Sequence, residues 1–465
     1  MRFPALALLL VACVDHAKPA VRLYDSGDYA GAARAADEGL QAHPDDDGLW
    51  GMRVRAALAL GDADGVAKAY GAYMKTRDGI DKELVRDLAV ATLGQALASP
   101  SAKLKIAAIE AVEEAELEAL AEAVGERMAD EDDRVAAMAA VAVIHAYPQA
   151  PHVAGDALHS EDAEARRIAV DGIGRKIGKL AVADLEQAGD DGDPRVRRAA
   201  IRWLGALKDK DAVELLTKRL HDPDENVRAA AAGALEHIGI GNLEAFGKTA
   251  LGDPALAVRL AGVDLLAAAH REDELLPLVD DPDPSLGVAA AIALHRTHPE
   301  LGEKAVTRAL ASKEWTVRAG AINSLARALD KPRTLALAHQ LASDADVHVR
   351  LAAARVLAHG GDRPAAVAIF AAAISEPGSG EDHGSTGQGE AVQAAADLAD
   401  LGDPRGTQAL DAAVRDGKHT PEQRAAAAAA HRVAHRATPG LVAALADPNA
   451  MVRVEAAATL AVLAK

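Results

Sequence analysis

Reactive side chains are scarce in this sequence, and few recur at a spacing that chemistry requires. Cysteine occurs once, at Cys13, so no disulfide can form within the chain and no pair of thiolates can share a metal. Two histidine pairs, His431/His435 and His295/His298, stand four and three residues apart, a spacing that can place two zinc ligands on one helical face. Neither pair has a third ligand or a general base in a recognised pattern beside it. Glu110, Glu113, Glu114, Glu116, Glu118, Glu122, Glu126, Asp130, Glu131, Asp132 and Asp133 crowd together, opposed only by Arg127. A calcium loop, however, alternates its ligands around a glycine turn, and most of these acids fall on helix-forming sequence, so they read as a solvated face. Glu381-Asp382-His383 lies in a glycine- and serine-rich stretch and reads as solvated too. The sequence contains no H-E-x-x-H, no G-x-S-x-G and no phosphate-cradling glycine loop, the arrangements that would set a base, a nucleophile or a nucleotide in place. No catalytic residue, metal or cofactor is assigned.

The elements that carry these residues follow from one stretch, His221 to Gly239, HDPDENVRAAAAGALEHIG. An acidic turn at Asp222-Pro223 precedes Val227, Ala230, Ala231, Ala234 and Leu235, a stripe at helical spacing. A shorter stripe, Val213, Leu216 and Leu220, precedes the turn. The unit is helix, turn, helix, and it recurs. With Val227 as marker, the counterparts are Leu104, Val135, Ala165, Val196, Val258, Val288, Val317, Val349, Val392, Gln423 and Val452. The step is 29 to 32 residues except for 43 between Val349 and Val392. A period of this size specifies a solenoid, in which each unit packs only on its neighbours. The chain is therefore expected to be all-α, a superhelix of about twelve helix pairs over residues 79–465. Residues 376–389, EPGSGEDHGSTGQG, account for the long step and read as a flexible loop. The last repeat brings no polar cap, which leaves its apolar stripe to dock a neighbour or fray.

Within the repeat, an acid often precedes an arginine by six residues: Asp191/Arg197, Asp222/Arg228, Asp253/Arg259, Asp344/Arg350 and Asp447/Arg453. Ser160/Arg166 and Ser312/Arg318 are softer versions. The motif D-P-x-x-x-V-R-x-x-A-A resembles the short HEAT-like repeats of the phycobilin-lyase type. That resemblance implies that the Asp and Arg residues form a ladder of turn-bracing hydrogen bonds between adjacent repeats. It also implies interruptions at Asp130/Ala136 and Asp283/Ala289, which lack the arginine. The same class includes bilin lyases and a di-iron hydroxylase with His-Glu ligand pairs, but no His-Glu dipeptide occurs here.

The N-terminus reads differently. Arg2, the apolar run Ala5 to Val11 and Leu10-Val11-Ala12-Cys13 resemble the lipobox of bacterial lipoproteins. The resemblance implies a signal peptide over residues 1–12, a lipidated Cys13 and a tether over 13–17; the alternatives are a chance cysteine after an apolar run or an ordinary signal peptide, and twelve residues is short enough to suggest a true start upstream. From 18 to 78, Tyr24, Tyr29, Trp50, Tyr70 and Tyr73 gather, and Gly27 and Gly61 stand 34 residues apart. This looks like a tetratricopeptide segment, and it equally fits a helical cap for the solenoid.

What remains for function is surface. The net charge of −19 excludes a phosphate-binding footprint as the main feature, so nucleic acid is not the expected partner. Histidine and arginine recur ten residues after the marker, at His145, Arg175, His237, His298, Arg327 and His359, where helix C-termini favour cations. Position six after the marker points away from the core and holds Glu110, Asp171, Arg202, Asp264, Asn323 and Arg355. In HEAT solenoids the second helices line the concave side, so these residues are expected to form a partner-binding track. The reading is a non-enzymatic, lipid-anchored scaffold of the bacterial envelope that binds another protein. The alternatives are a lyase-type cofactor handler, against which the 2% aromatic content argues, and a cytosolic regulator if the lipobox is spurious.

Overall fold

A computed structural model describes residues 16–75, 80–375 and 386–465. Cys13, with the expected leader, and most of the 376–389 stretch lie outside the described residues. Every regular element among the described residues is helical. Four helices come first: α1 (Lys18–Asp25), α2 (Tyr29–Ala42), α3 (Asp47–Ala59) and α4 (Ala63–Tyr73). Gly27 and Gly61 adopt φ of 84° and 68° at the turns before α2 and α4, the left-handed region that glycine enters without strain.

Twelve helix pairs follow among the described residues. The first helices are α5 (Lys82–Leu97), α7 (Ala121–Glu126), α9 (Ala150–Ala157), α11 (Val182–Ala188), α13 (Val213–Arg219), α15 (Leu243–Leu251), α17 (Glu272–Leu275), α19 (Glu300–Leu310), α21 (Lys331–Leu341), α23 (Arg363–Ser375), α25 (Pro404–Arg415) and α27 (Pro439–Ala443). The second helices are α6 (Ala102–Ala115), α8 (Asp133–Ala142), α10 (Ala163–Lys176), α12 (Pro194–Ala206), α14 (Glu225–Ile238), α16 (Leu256–Ala268), α18 (Pro284–Ala293), α20 (Trp315–Ala328), α22 (Val347–Gly360), α24 (Thr386–Asp400), α26 (Pro421–Ala430) and α28 (Ala450–Leu463). Residues 386–389, expected in a loop, are thus the first turn of α24.

The second helices share one construction. In α14 the carboxylate of Asp224 caps the helix by accepting from the N–H groups of Asn226 and Val227, which satisfies two donors of the first turn. Val227 stands three residues after this cap, and Val227, Ala231 and Leu235 are fully buried. The marker occupies the same place after the capping position in α6, α8, α10, α12, α16, α20, α22, α26 and α28. In α18 the cap is Asp283, so the equivalent residue is Leu286, not Val288. Both are buried, which is why hydrophobicity alone misaligned that repeat by two residues.

Small residues set the helix spacing. A Cβ added at Gly205 of α12 would lie 2.7 Å from the Cα of Ala234 on α14. The helices could not approach as they do with a larger side chain there.

The chain packs as two compact units, Leu93–Leu410 and a second made of the stretch ending at Thr92 together with Asp411–Lys465. In the larger unit one apolar core runs unbroken from Val263 on α16 to Ala353 on α22. In the other, α4 packs against α27, whose Leu441 and Val442 are fully buried. The apolar stripe of the last repeat neither frays nor stands open: Val452, Ala456 and Leu460 on α28 are buried, as are Val454 and Ala461 on its other sides.

Candidate functional site

The Asp and Arg residues of the turns make two kinds of bond. Each arginine turns one end of its guanidinium onto carbonyls of its own turn: Arg197 Nη1 donates to Asp191 O at 2.9 Å and Gly192 O at 3.1 Å. Its other edge reaches the next turn, where Nε and Nη2 donate to Asp222 Oδ2 and Oδ1 at 2.9 and 2.7 Å. The fork matches a carboxylate in a way a lysine cannot. Asp222 also accepts the N–H of Asp224 at 3.0 Å, fixing the turn that leads into α14.

The same two-sided bonding joins Arg166 to Asp191, Arg228 to Asp253 and Arg318 to Asp344. Arg350 and Arg453 donate to the carbonyls of Asp344 and Asp447 at 2.9 and 2.7 Å. Residues six apart therefore meet only through the backbone, and the charge pair spans neighbouring repeats. That explains why the serine variants are not softer. Ser160 and Ser312 contribute only carbonyls to Arg166 and Arg318.

Two rungs were not visible in the six-residue spacing. Arg424 donates to Asp447 at 2.9 and 3.1 Å, and Lys105 reaches Asp130 at 2.7 Å. Asp130 and Asp283 both receive a cation, but the contact from Arg259 to Asp283 is a single one at 3.2 Å, because Asp283 is the cap and not the turn acid. Among the second helices whose capping residue is described, the empty cation positions are Ala136 and, in the corrected register, Gly287. The acid expected one turn further on is a serine in both cases, Ser160 and Ser312.

Electrostatics follow this geometry. Burial pushes the Asp222 carboxyl up, but hydrogen bonds from Arg197 and the Asp224 N–H outweigh it and hold the group below its ordinary value. The Arg228 and Arg318 forks do the same for Asp253 and Asp344.

A groove runs over the second helices of the larger unit as three adjoining depressions. The first, about 770 Å³, lies over α6 to α12 and contains Glu110, Asp171 and Arg202 together with Met138, Arg167 and Trp203. The second, about 340 Å³, shares Arg202 and Trp203 and extends to His237 on α14. The third, about 690 Å³, begins at the adjacent Glu236 and contains Asp264, Leu256, Leu260, Ile292, Val317, Ser324 and Arg327.

The six residues of the expected track differ in their surroundings. Glu110, Arg202, Asp264 and Asn323 are exposed. Asp171 is held by Arg167 at 2.6 Å and by the indole N–H of Trp203 at 3.0 Å. Surrounding protein, then the Glu236 carboxylate, pushes the Asp264 carboxyl up, opposed by Arg327. Arg355 is engaged with Asp397 of α24 at 2.9 Å. The apolar floor of the third depression, Leu256, Leu260, Ile292 and Val317, was missed because these side chains also touch the core.

The histidine pairs do not form ligand sets. His431 is buried with Nδ1 on Ala427 O at 2.8 Å, and the helix breaks before His435, which has φ of 49°. His295 and His298 lie beyond the end of α18. Among the described residues no three His, Cys, Asp or Glu side chains gather as metal ligands. Among them too, no helix is long and apolar enough to cross a membrane. His237 and His359 donate Nδ1–H to the carbonyls of Gly233 and Arg355 at 3.0 and 2.7 Å, one turn back at their helix ends.

A family profile for HEAT repeats matches residues 153–239 and 302–381. Among solved structures, the CpcE–CpcF complex of phycocyanin lyase from Nostoc sp. PCC7120 is 26% identical, over 48% of this chain and 92% of that one, with a TM-score of 0.32. The YibA protein of Escherichia coli is 18% identical, over 56% of this chain and 98% of that one, with a TM-score of 0.36. The karyopherin Kap121p is 15% identical over 81% of this chain and 48% of that one, with a TM-score of 0.34. No curated protein sequence matches. The described residues form an all-α array of repeated helix pairs, HEAT-like over residues 153–239 and 302–381.

Proposed function

We propose that this HEAT-repeat solenoid is a non-enzymatic scaffold that holds a partner protein in the groove over its second helices. The observation that carries the reading is the adjoining run of three depressions from Glu110 to Arg327. Its half-exposed aliphatic floor and polar walls are the composition of a protein-binding surface. Arg202 is exposed and shared by two of the depressions. Asp264 and Asn323 extend the track toward α20. Arg355 supports it from beneath through Asp397 and is not a free contact.

The proposal includes an anchor. Cleavage before Cys13 and lipidation of its thiol would tether the chain to a bacterial envelope membrane, with several acyl chains needed for firm attachment. The four N-terminal helices, tetratricopeptide-like in their glycine period, then serve as a cap close to the tether.

The test is affinity capture of the tagged protein after membrane extraction, with Arg202→Glu compared against Arg308→Glu on the first helix α19. Loss of the captured partner in Arg202→Glu alone supports the groove. Unchanged capture in both variants overturns it, and equal loss in both reports non-specific charge. Cys13→Ala should leave the protein soluble or uncleaved; a wild-type chain that is soluble without detergent and takes up no labelled palmitate removes the anchor.

A further inference from the structure

Two second helices of the larger unit are shorter than the rest. α8 and α18 have 10 residues each, against 13 to 15 in the others of that unit. Both also lack the ladder cation, at Ala136 and Gly287. Each short helix leaves a gap between its longer neighbours, and the first and third depressions lie over these two gaps. Counted from the caps, Met138 and Val141 of α8 correspond to Ala289 and Ile292 of α18, and these residues line the two depressions.

The chain fills the first gap itself. Glu113 of α6 reaches past α8 to α10, where its Oε1 lies 3.0 Å from Arg175 Nη2 and 2.8 Å from Lys176 Nζ. At the other gap the corresponding places on α16 and α20 hold Ala267 for Glu113, Arg327 for Arg175 and Ala328 for Lys176. The clasp is absent there, and Arg327 makes no ion pair among the described residues. What remains is an open hollow of about 690 Å³, with Leu260 and Ile292 in its floor and Asp264 and Glu236 on the side away from Arg327.

Two carboxylates thus share one guanidinium across the gap. Asp264 makes no ion pair among the described residues either. Burial and the Glu236 charge keep its carboxyl above the ordinary value even though Arg327 opposes them. The turn acids Asp222, Asp253 and Asp344 are shifted the opposite way, because each has its own arginine. A carboxylate held like Asp264 gains from a cation that the fold does not supply, and the aliphatic floor beside it gains from losing water.

We infer that the gap over α18 is where the partner in the groove docks, and that it enters with a lysine or arginine flanked by aliphatic side chains. This inference rests on the groove reading and names what one part of the groove recognises. The cation lies at Asp264 and Glu236, relieving the repulsion between them, and the aliphatic groups cover Leu260 and Ile292. Arg327 repels a second positive charge, so an isolated basic residue fits better than a basic run. The gap over α8 is the same kind of site with its charged filling supplied by the chain.

The probe is a dye-labelled synthetic peptide, Gly-Ala-Leu-Lys-Leu-Leu-Ala-Gly, titrated with the full chain and followed by fluorescence anisotropy. The wild type should bind it about ten-fold more tightly than a twin with glutamate for lysine or a twin with serine for leucine, and hydrogen-exchange protection should fall on α16, α18 and α20. Asp264→Asn should weaken binding about ten-fold, the effect of losing one charge-assisted contact. Ala267→Glu restores the acid of the first gap, clasping Arg327 and filling the hollow. Binding of the basic peptide should then fall although the chain becomes more negative, whereas non-specific attraction would raise it. Circular dichroism melts check that the variants are folded, and the isosteric Asp264→Asn carries the test if Ala267→Glu is not. Equal affinity for the glutamate twin, or unchanged or tighter binding in folded Ala267→Glu, overturns the proposal. Self-association of the wild type that Ala267→Glu abolishes overturns it in favour of a second copy of the chain. In the capture assay, a partner that depends on Arg202 but not on Asp264 overturns this site alone, and one that depends on neither overturns the groove as well.

Discussion

Arg197→Ala is the sharpest perturbation of the turn ladder. It deletes two hydrogen bonds to the Asp222 carboxylate and two to carbonyls of the preceding turn. The Asp222 side chain is 0% exposed and that of Arg197 10% exposed, so little water is available to replace the lost donors. Removing one partner of a buried ion pair destabilises by about 3–5 kcal/mol. Arg219 Nη1 remains 3.1 Å from Asp222 Oδ2 and Asp224 still donates its N–H, so we expect the lower end, about 3 kcal/mol. Arg259→Ala removes only the 3.2 Å contact to Asp283 and two carbonyl bonds, at side chains 24% and 26% exposed. Partly solvated pairs contribute less, and about 1 kcal/mol is expected there. Urea melts give the total change, and hydrogen exchange in α12 to α14 against α16 to α18 locates it. In a repeat array the loss should be felt first by neighbouring units. Equal destabilisation by the two variants, or an effect of Arg197→Ala spread evenly over all repeats, refutes the ladder as the brace between neighbours.

Acid should unfasten the same turns: the Asp222, Asp253 and Asp344 carboxyls lie below their ordinary value in the folded chain, so their contribution is full above about pH 4 and is lost as pH falls through the folded values; Asp222→Asn, followed by circular dichroism, should flatten that acid limb and lower stability at pH 7. Gly205→Ala should destabilise by about 1–3 kcal/mol through overpacking on Ala234, whereas Gly233→Ala, whose added Cβ meets nothing within 4 Å, should stabilise by about 0.5–1 kcal/mol as a helix-interior glycine is removed; thermal melts of the two variants should move in opposite directions. Gly71→Trp should force α4 from α27, since even a Cβ at Gly71 would lie 3.5 Å from Pro439 Cγ, and limited proteolysis should then attack both the N-terminal helices and residues 411–465 before residues 93–410.

The repeat was legible because one physical demand recurs: a capping acid, an apolar residue three places on, and a small residue four places after that. Where the demand is met by either of two neighbours, as at Leu286 and Val288, the sequence gives no preference and only the Asp283 cap decides the register. The ladder was half legible. Acid and arginine six apart are close in sequence and invite pairing, but the guanidinium is long enough to reach the following turn, 23 to 26 residues away in the true rungs. The better signal was the joint loss of both partners, Ala136 with Ser160 and Gly287 with Ser312. A carboxylate left in that half-buried turn without a cation would be costly, and a serine is not.

The outward track was the least legible part, for a reason that applies to solenoids generally. Helical periodicity tells which side of a helix avoids its own hydrophobic core, but it does not tell what the next helix places there. Arg355 and Asp171 both stand at the outward position, yet Asp397 and Trp203, each on the following second helix, reach across and occupy them. Arg202 and Asp264 stand at the same position and are exposed; beside them in their depressions lie Gly233 and Ile292 of the next second helix, whose side-chain positions offer no polar group. An outward residue is thus available to a partner only where the next repeat leaves the facing position small or apolar. Applied along the groove, that rule separates the contacts that brace the seam from those open to a bound protein, and it makes Arg202 the residue whose reversal should affect binding without weakening the fold.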